Sequence, residues 1–363
     1  MWLDFISRRT IESGDLKKLV DADGLSGLTS NPTIFEKAIS SGQEYDSAIL
    51  PLAQGQKSAA EIYEALAVED IRLAAEVLRP VYDRLEGRDG YVSLEVSPRV
   101  AHDTEGTLVE AYRLWEAVAR PNVFIKIPAT AEGLPALHGL LANGVNINVT
   151  LLFSLSRYRQ VAEAYVAALE ERSARRQPLG SVSSVASFFV SRIDTLVDSL
   201  LEAKVRAGGA AGQLAASLRG QAAIANAKIA YQVYREVFGT ERFGRLAAQG
   251  ARPQRLLWAS TSTKNPAYSD TKYVEALIGP DTINTLPLET LAAYRDHGQP
   301  HARLTEAVEQ AQATLRQLGE VGVDFPGATA QLETEGVAKF STSYDSLLTA
   351  LETKRLALCC EPA

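Results

Sequence analysis

The stretch VFIKIPATAEGLPALHGLLANGVNINVT (123–150) holds two short β-rich runs, 123–128 and 145–150, with an Ala- and Leu-rich segment between them. A strand, a connection of helical composition and a second strand make a parallel pair joined by a crossover. Outward in both directions the same alternation repeats. Candidate strands at 2–6, 25–30 and 91–96 precede this unit, and others at 184–190, 255–261 and 282–286 follow it. Helical patterns at 59–82, 106–119, 155–175 and 212–238 lie between, with apolar residues such as Ile62 and Leu66 one turn apart. Eight strands alternating with helices predict a closed (β/α)8 TIM barrel with additional helices. On pattern alone a doubly wound open sheet is the alternative. No Pro/Ser-rich linker or composition shift divides the chain, so residues 1–363 are expected to form one domain.

Bulk properties narrow the function. With 37 Lys+Arg against 44 Asp+Glu, the net charge of −7 argues against a chain built to grip nucleic acid or an anionic membrane. A phosphorylated metabolite needs only a few local cations, so it stays open. The two cysteines, Cys359 and Cys360, are adjacent and poorly placed for a structural disulfide, which suggests a reducing compartment. No leader-like start and no apolar run near the ~20 residues of a membrane span is present, so a cytoplasmic location is expected.

Residues two apart on a strand share a face. On that rule Trp2 and Asp4 share one face, as do Tyr91, Ser93 and Glu95, and Phe124 with Lys126. So do Asn146, Asn148 and Thr150; Ser187 and Phe189; and Trp258 with Ser260. Polar groups therefore collect toward the C-terminal ends of the strands. A barrel brings those ends to one mouth, where enzymes of this architecture keep their active sites. A buried polar group costs energy unless paired, so one per strand at the same end points to chemistry.

Lys126 stands alone in VFIKIP. Lysine is almost never buried without a partner or a purpose, and desolvation favours the free amine that can attack a carbonyl. The bland alternative is a stabilising ion pair with Glu95. Rival chemistries find little support: the four histidines are scattered, and His297 and His301 are separated by Gly and Pro. No phosphate-binding loop, GxGxxG, GxSxG or HExxH occurs, so neither a metal nor an organic cofactor is expected.

Several segments resemble one family. GLTSNPTIFEKAI (27–39) and VFIKIPATAEGLPALHGL (123–140) are similar to the two signatures of the transaldolases, within the Schiff-base (class I) aldolase superfamily. WLDFISRR (2–9), SLEVSPR (93–99), NINVTLLFS (146–154), VASFFVSRID (185–194) and WASTSTKNPAYSDTKYVEALIGPDTINTLP (258–287) extend the resemblance in order over most of the chain. The last resembles the long bacterial form. The resemblance implies transfer of a dihydroxyacetone unit from sedoheptulose 7-phosphate or fructose 6-phosphate to glyceraldehyde 3-phosphate or erythrose 4-phosphate. That is a step of the non-oxidative pentose phosphate pathway. Carried over by position, Lys126 is the nucleophile and Asp4 the acid/base at the C4 hydroxyl. Glu95 and Thr150 handle a catalytic water, and Asn31 and Asn148 hold hydroxyls of the transferred unit. Ser187, Arg192 and Ser260 seat the substrate and its phosphate.

In one place the pattern departs. The family's usual arginine, two residues beyond the last serine, is here Ser262, and the nearest cation is Lys264. Lys264 is therefore assigned to the phosphate, which it would hold as a point charge without arginine's planar fork. The partners implied are sugar phosphates, with neither nucleic acid nor membrane, and a monomer or homodimer. Two other functions stay open: a fructose-6-phosphate aldolase-like lyase on the same fold, and a non-catalytic sugar-phosphate-binding barrel. That lyase group tends to carry Tyr where this chain has Phe189.

Overall fold

Strands that are apolar on one face and mixed on the other suit a sheet whose outer face is covered by helices and whose inner face closes on itself. The computed structural model describes residues 1–40 and 42–360. Its strands are β1 (Trp2–Asp4), β2 (Gly27–Thr29), β3 (Tyr91–Glu95), β4 (Val123–Pro128), β5 (Ile147–Leu152), β6 (Ser184–Phe189), β7 (Arg255–Ala259) and β8 (Thr282–Leu286). They pair in parallel in sequence order and close into a barrel, with Trp2 of β1 opposite Thr285 of β8. The (β/α)8 barrel is therefore the architecture, and the open sheet is set aside. β4 and β8 keep the expected bounds. β1, β2, β3, β6 and β7 stop one or two residues early, where the chain turns into the loops of the mouth; β2 also starts two residues late, and β5 is displaced two residues toward the C-terminus from the expected 145–150.

The helix Ala59–Arg84 shows how the outer layer forms. Ser58 and Glu61 cap its start reciprocally, each side chain taking up the other's backbone N–H. Its stripe of Ile62, Leu66, Ile71, Ala74 and Leu78 is fully buried. Among the described residues, no helix is long and apolar enough to cross a membrane. Cys359 is exposed and unbridged; the side chain of Cys360 lies outside the described residues.

The barrel interior is layered. At the N-terminal ends of the strands the expected inward face supplies aromatics: Tyr91 stacks on Phe124 at 4.2 Å between centroids, and Trp2 lies 6.1 Å from Phe124. The Trp2 indole N–H donates to Asp89 at 2.7 Å. Gly27 is required beside it, because a Cβ there would fall within 2.2–2.4 Å of the indole. These rings form a floor. The next inward residues along the same strands are Asp4, Ser93 and Lys126, and the polar mouth begins there.

Two inward assignments need correction. Trp258 faces the helices, not the lumen. It packs edge-on against Phe188, which meets Tyr158 of the helix Leu155–Ala174, and its indole donates to the Leu277 carbonyl. Ser260 nevertheless reaches the mouth, because its left-handed φ of 55° breaks the alternation after β7. Asn146 precedes β5 at the other end of the barrel, where its amide bonds the Pro121 carbonyl and the Ser183 N–H.

Candidate active site

Lys126 sits on the fourth strand with its side chain 5% exposed. Its Nζ donates to Glu95 Oε2 at 3.1 Å, across the β3–β4 pair, and to the Ser30 carbonyl at 3.2 Å. Glu95 is equally buried, and that burial pushes its carboxyl above the ordinary range, against the pull of Lys126. A carboxylate made more basic by burial is a fitting acceptor for a proton leaving the amine.

Asp4 lies within Coulombic reach of Lys126 and accepts a hydrogen bond from Thr29 at 2.6 Å. Burial again raises its carboxyl, with Lys126 and the Thr29 bond acting the other way. Ser7, Arg8 and Asp70 hold the segment after β1: Ser7 caps the next helix, and Arg8 Nε donates to the fully buried Asp70 at 2.8 Å.

Above these groups opens a cavity of about 440 Å³. Asp4, Asn31, Lys126, Ser187, Arg192, Ser260 and Lys264 all line it. Glu95, Asn148 and Thr150 lie outside that lining, with side chains buried in the barrel. Asn148 is fully buried, accepting from Ser187 at 2.7 Å and donating to Ser93 at 3.1 Å. The Thr150 hydroxyl is buried with no partner among the described residues. An orphan hydroxyl carries a cost that a bound water would remove. Asn31 caps the helix Pro32–Ser40 by accepting the Ile34 N–H, leaving its NH₂ end for other bonds.

The cations cluster on one side. Arg192 forms no ion pair among the described residues; its guanidinium lies over Phe189 at 5.2 Å and Phe340 at 6.0 Å. The nearby Asp194 is occupied elsewhere, by the Tyr273 hydroxyl, the Ala223 N–H and Lys272. Lys264 folds back so that its Nζ meets Ser262 Oγ at 2.5 Å. Burial lowers the affinity of both cations for their protons.

Sequence reasoning missed Lys37, Lys339, Phe340 and Glu289, which also line the cavity. Lys37 and Lys339 are exposed helix residues, with no local signal to distinguish them from surface lysines. A larger cavity of about 760 Å³ lies against the helices Ala59–Arg84 and Thr104–Val118 and is lined at one end by Glu95, the partner of Lys126. Its cations are engaged: Arg72 bonds the Ala117 and Val118 carbonyls, Arg113 pairs with Glu64, Arg99 with Asp345 and Lys57 with Glu61.

Residues 1–351 match the family described as Transaldolase/Fructose-6-phosphate aldolase. The chain belongs to that family. Curated relatives named transaldolase include one from Thiobacillus denitrificans, 49% identical over 96% of this chain and 95% of the relative. One from Parafrankia sp. is 50% identical over 96% and 93%, and one from Mycobacterium tuberculosis 47% over 96% and 92%. The lysine–carboxylate pair and the cation-lined cavity stand at the C-terminal ends of the strands.

Proposed function

We propose that this chain, an enzyme of the transaldolase class by family and relatives, transfers a dihydroxyacetone unit between sugar phosphates through a Schiff base on Lys126. One observation carries the reading: a buried lysine, bonded to a carboxylate, reaches the floor of an open cavity that Asp4 also lines. The Lys126 amine attacks the ketose C2 carbonyl after passing a proton toward Glu95. The carbinolamine then loses water, held by Glu95 and Thr150, and leaves an iminium. Asp4 takes the C4 hydroxyl proton, the C3–C4 bond breaks, and its electrons flow into the iminium to give an enamine. The aldehyde departs, an acceptor aldehyde takes its place, and the steps reverse. Asn31 and Asn148 hold the hydroxyls of the retained unit. Ser187, Ser260, Arg192 and Lys264 seat the phosphate end, so binding energy remote from the chemistry orients the carbons. Such a reaction belongs to the non-oxidative pentose phosphate pathway. Borohydride reduction with fructose 6-phosphate should add one reduced three-carbon unit to the peptide containing Lys126; an unmodified protein would refute the Schiff base.

The phosphate assignment is separately testable. A charge-assisted bond to a partly exposed phosphate is worth about 1.5–3 kcal/mol, so Arg192→Ala or Lys264→Ala should weaken use of fructose 6-phosphate about 10- to 100-fold. Activity on unphosphorylated fructose should hardly change. If either variant depressed both substrates equally, that residue would be serving the fold or the chemistry instead. Retention of Phe189, which lacks the phenol of the lyase-like group, supports transfer over simple cleavage. Omitting the acceptor and measuring free dihydroxyacetone separates the two.

A further inference from the structure

The helix Phe325–Cys360 has 36 residues, about 54 Å at 1.5 Å per residue. It crosses the C-terminal end of the barrel and is anchored on both sides of the mouth. On one side Gly336 seats it against β5: a Cβ there would come within 3.0 Å of Leu151 Cδ2 and 3.7 Å of Phe153. Leu151 has a left-handed φ of 60° at an irregularity in the β5 pairing. On the other side the Ser343 and Thr33 hydroxyls meet at 2.8 Å, and Tyr344 packs edge-on to Tyr63. Further along, Asp345 pairs with Arg99 and Lys354 with Asp46.

Between these anchors lies Phe340. It is 4% exposed, lines the cavity, and its ring centroid is 5.8 Å from Lys126 Nζ and 6.0 Å from the Arg192 guanidinium carbon. A phenyl ring directed at a cavity of charged groups does more than fill a core, since ordinary core rings meet apolar neighbours. Its face attracts a cation, and Lys126 would carry one as the iminium. Once that charge is discharged into the enamine, the same ring is an apolar cover.

We propose that Phe340 is a specificity-determining residue, shielding the Lys126 enamine from bulk water so that it survives until an acceptor aldehyde arrives. The inference rests on the Schiff-base reading above. The competing reaction needs only water. A proton adds to C3 of the enamine, water oxygen bonds to C2 of the resulting iminium, and the C2–N bond breaks. Free dihydroxyacetone and the lysine amine are the products. Transfer instead forms a bond from C3 to the acceptor's carbonyl carbon. Access of water to the enamine sets the branch.

The test compares wild type, Phe340→Leu and Phe340→Ala with fructose 6-phosphate as donor and erythrose 4-phosphate as acceptor. The quantity read is free dihydroxyacetone released per transfer, beside borohydride trapping. Opening a water path should raise that ratio about tenfold or more in Phe340→Ala and by a smaller factor, about threefold, in Phe340→Leu. Trapping at Lys126 should persist in both. An unchanged ratio with trapping intact would overturn the proposal and reduce Phe340 to a packing residue that anchors the helix. Should Phe340→Ala fail to fold, the leucine variant decides alone, by the same ratio. Loss of trapping in the wild type would instead defeat the Schiff-base reading itself.

Discussion

Lys126→Ala should abolish both turnover and borohydride trapping, with turnover falling by about 10⁴-fold or more, because it removes the amine proposed to form the electron sink. The fold survives. Removing the ammonium leaves Glu95 buried without its partner, which for a fixed charge costs about 3–5 kcal/mol. Glu95 has an outlet, however: burial already holds its carboxyl above the usual range, so it can take a proton and shed the charge. Circular dichroism and a thermal melt should show a folded, somewhat less stable protein. The control is demanding because Lys37, Lys264 and Lys339 line the same cavity. If trapped substrate appeared on any of them in the variant at the wild-type rate, the nucleophile would be wrongly assigned.

Asp4→Ala separates bond cleavage from amine attack. In the proposed mechanism Asp4 acts on the C4 hydroxyl after the iminium has formed, so cleavage should slow by about 10²- to 10⁴-fold, the usual worth of a general base. Trapping of the donor should be nearly unchanged, because Lys126 keeps its bonds to Glu95 and Ser30. Asp4→Asn keeps the shape and the Thr29 contact but cannot take the proton, and should resemble the alanine variant. A parallel fall in trapping and cleavage would mean that Asp4 positions the lysine electrostatically and takes no proton.

How far these arguments could be made from sequence depends on the residue. Alternation along β1, β3 and β4 correctly assigned Trp2, Tyr91 and Phe124 to the interior beneath Asp4, Glu95 and Lys126, because an extended strand has only two faces. The same rule failed where the backbone leaves the extended region. After Ala259 the left-handed turn at Ser260 puts two successive residues on the cavity, so Trp258 faced out although Ser260 faced in. Asn146 looked equivalent to Asn148 and Thr150, yet it lies one residue before β5 and bonds neighbouring strands. Lys264 was legible only as a nearby cation; its return to Ser262 depends on the loop's path. Lys339 and Phe340 were not legible. Helical periodicity tells which side of a helix is apolar, not which part of the barrel it will cover.

The aromatic floor has a kinetic consequence. Trp2, Tyr91 and Phe124 fill the lumen beneath the lysine, so the chamber is a blind well whose contents come and go by the rim. In the proposed transfer, two aldehydes cannot pass each other over a carbon that must bond to each in turn. The first must vacate the well before the second can approach, while the three-carbon fragment stays tethered below. On that mechanism the architecture would impose an alternating order of release and entry, and donor and acceptor would compete for one vestibule even though they react at different stages of the cycle.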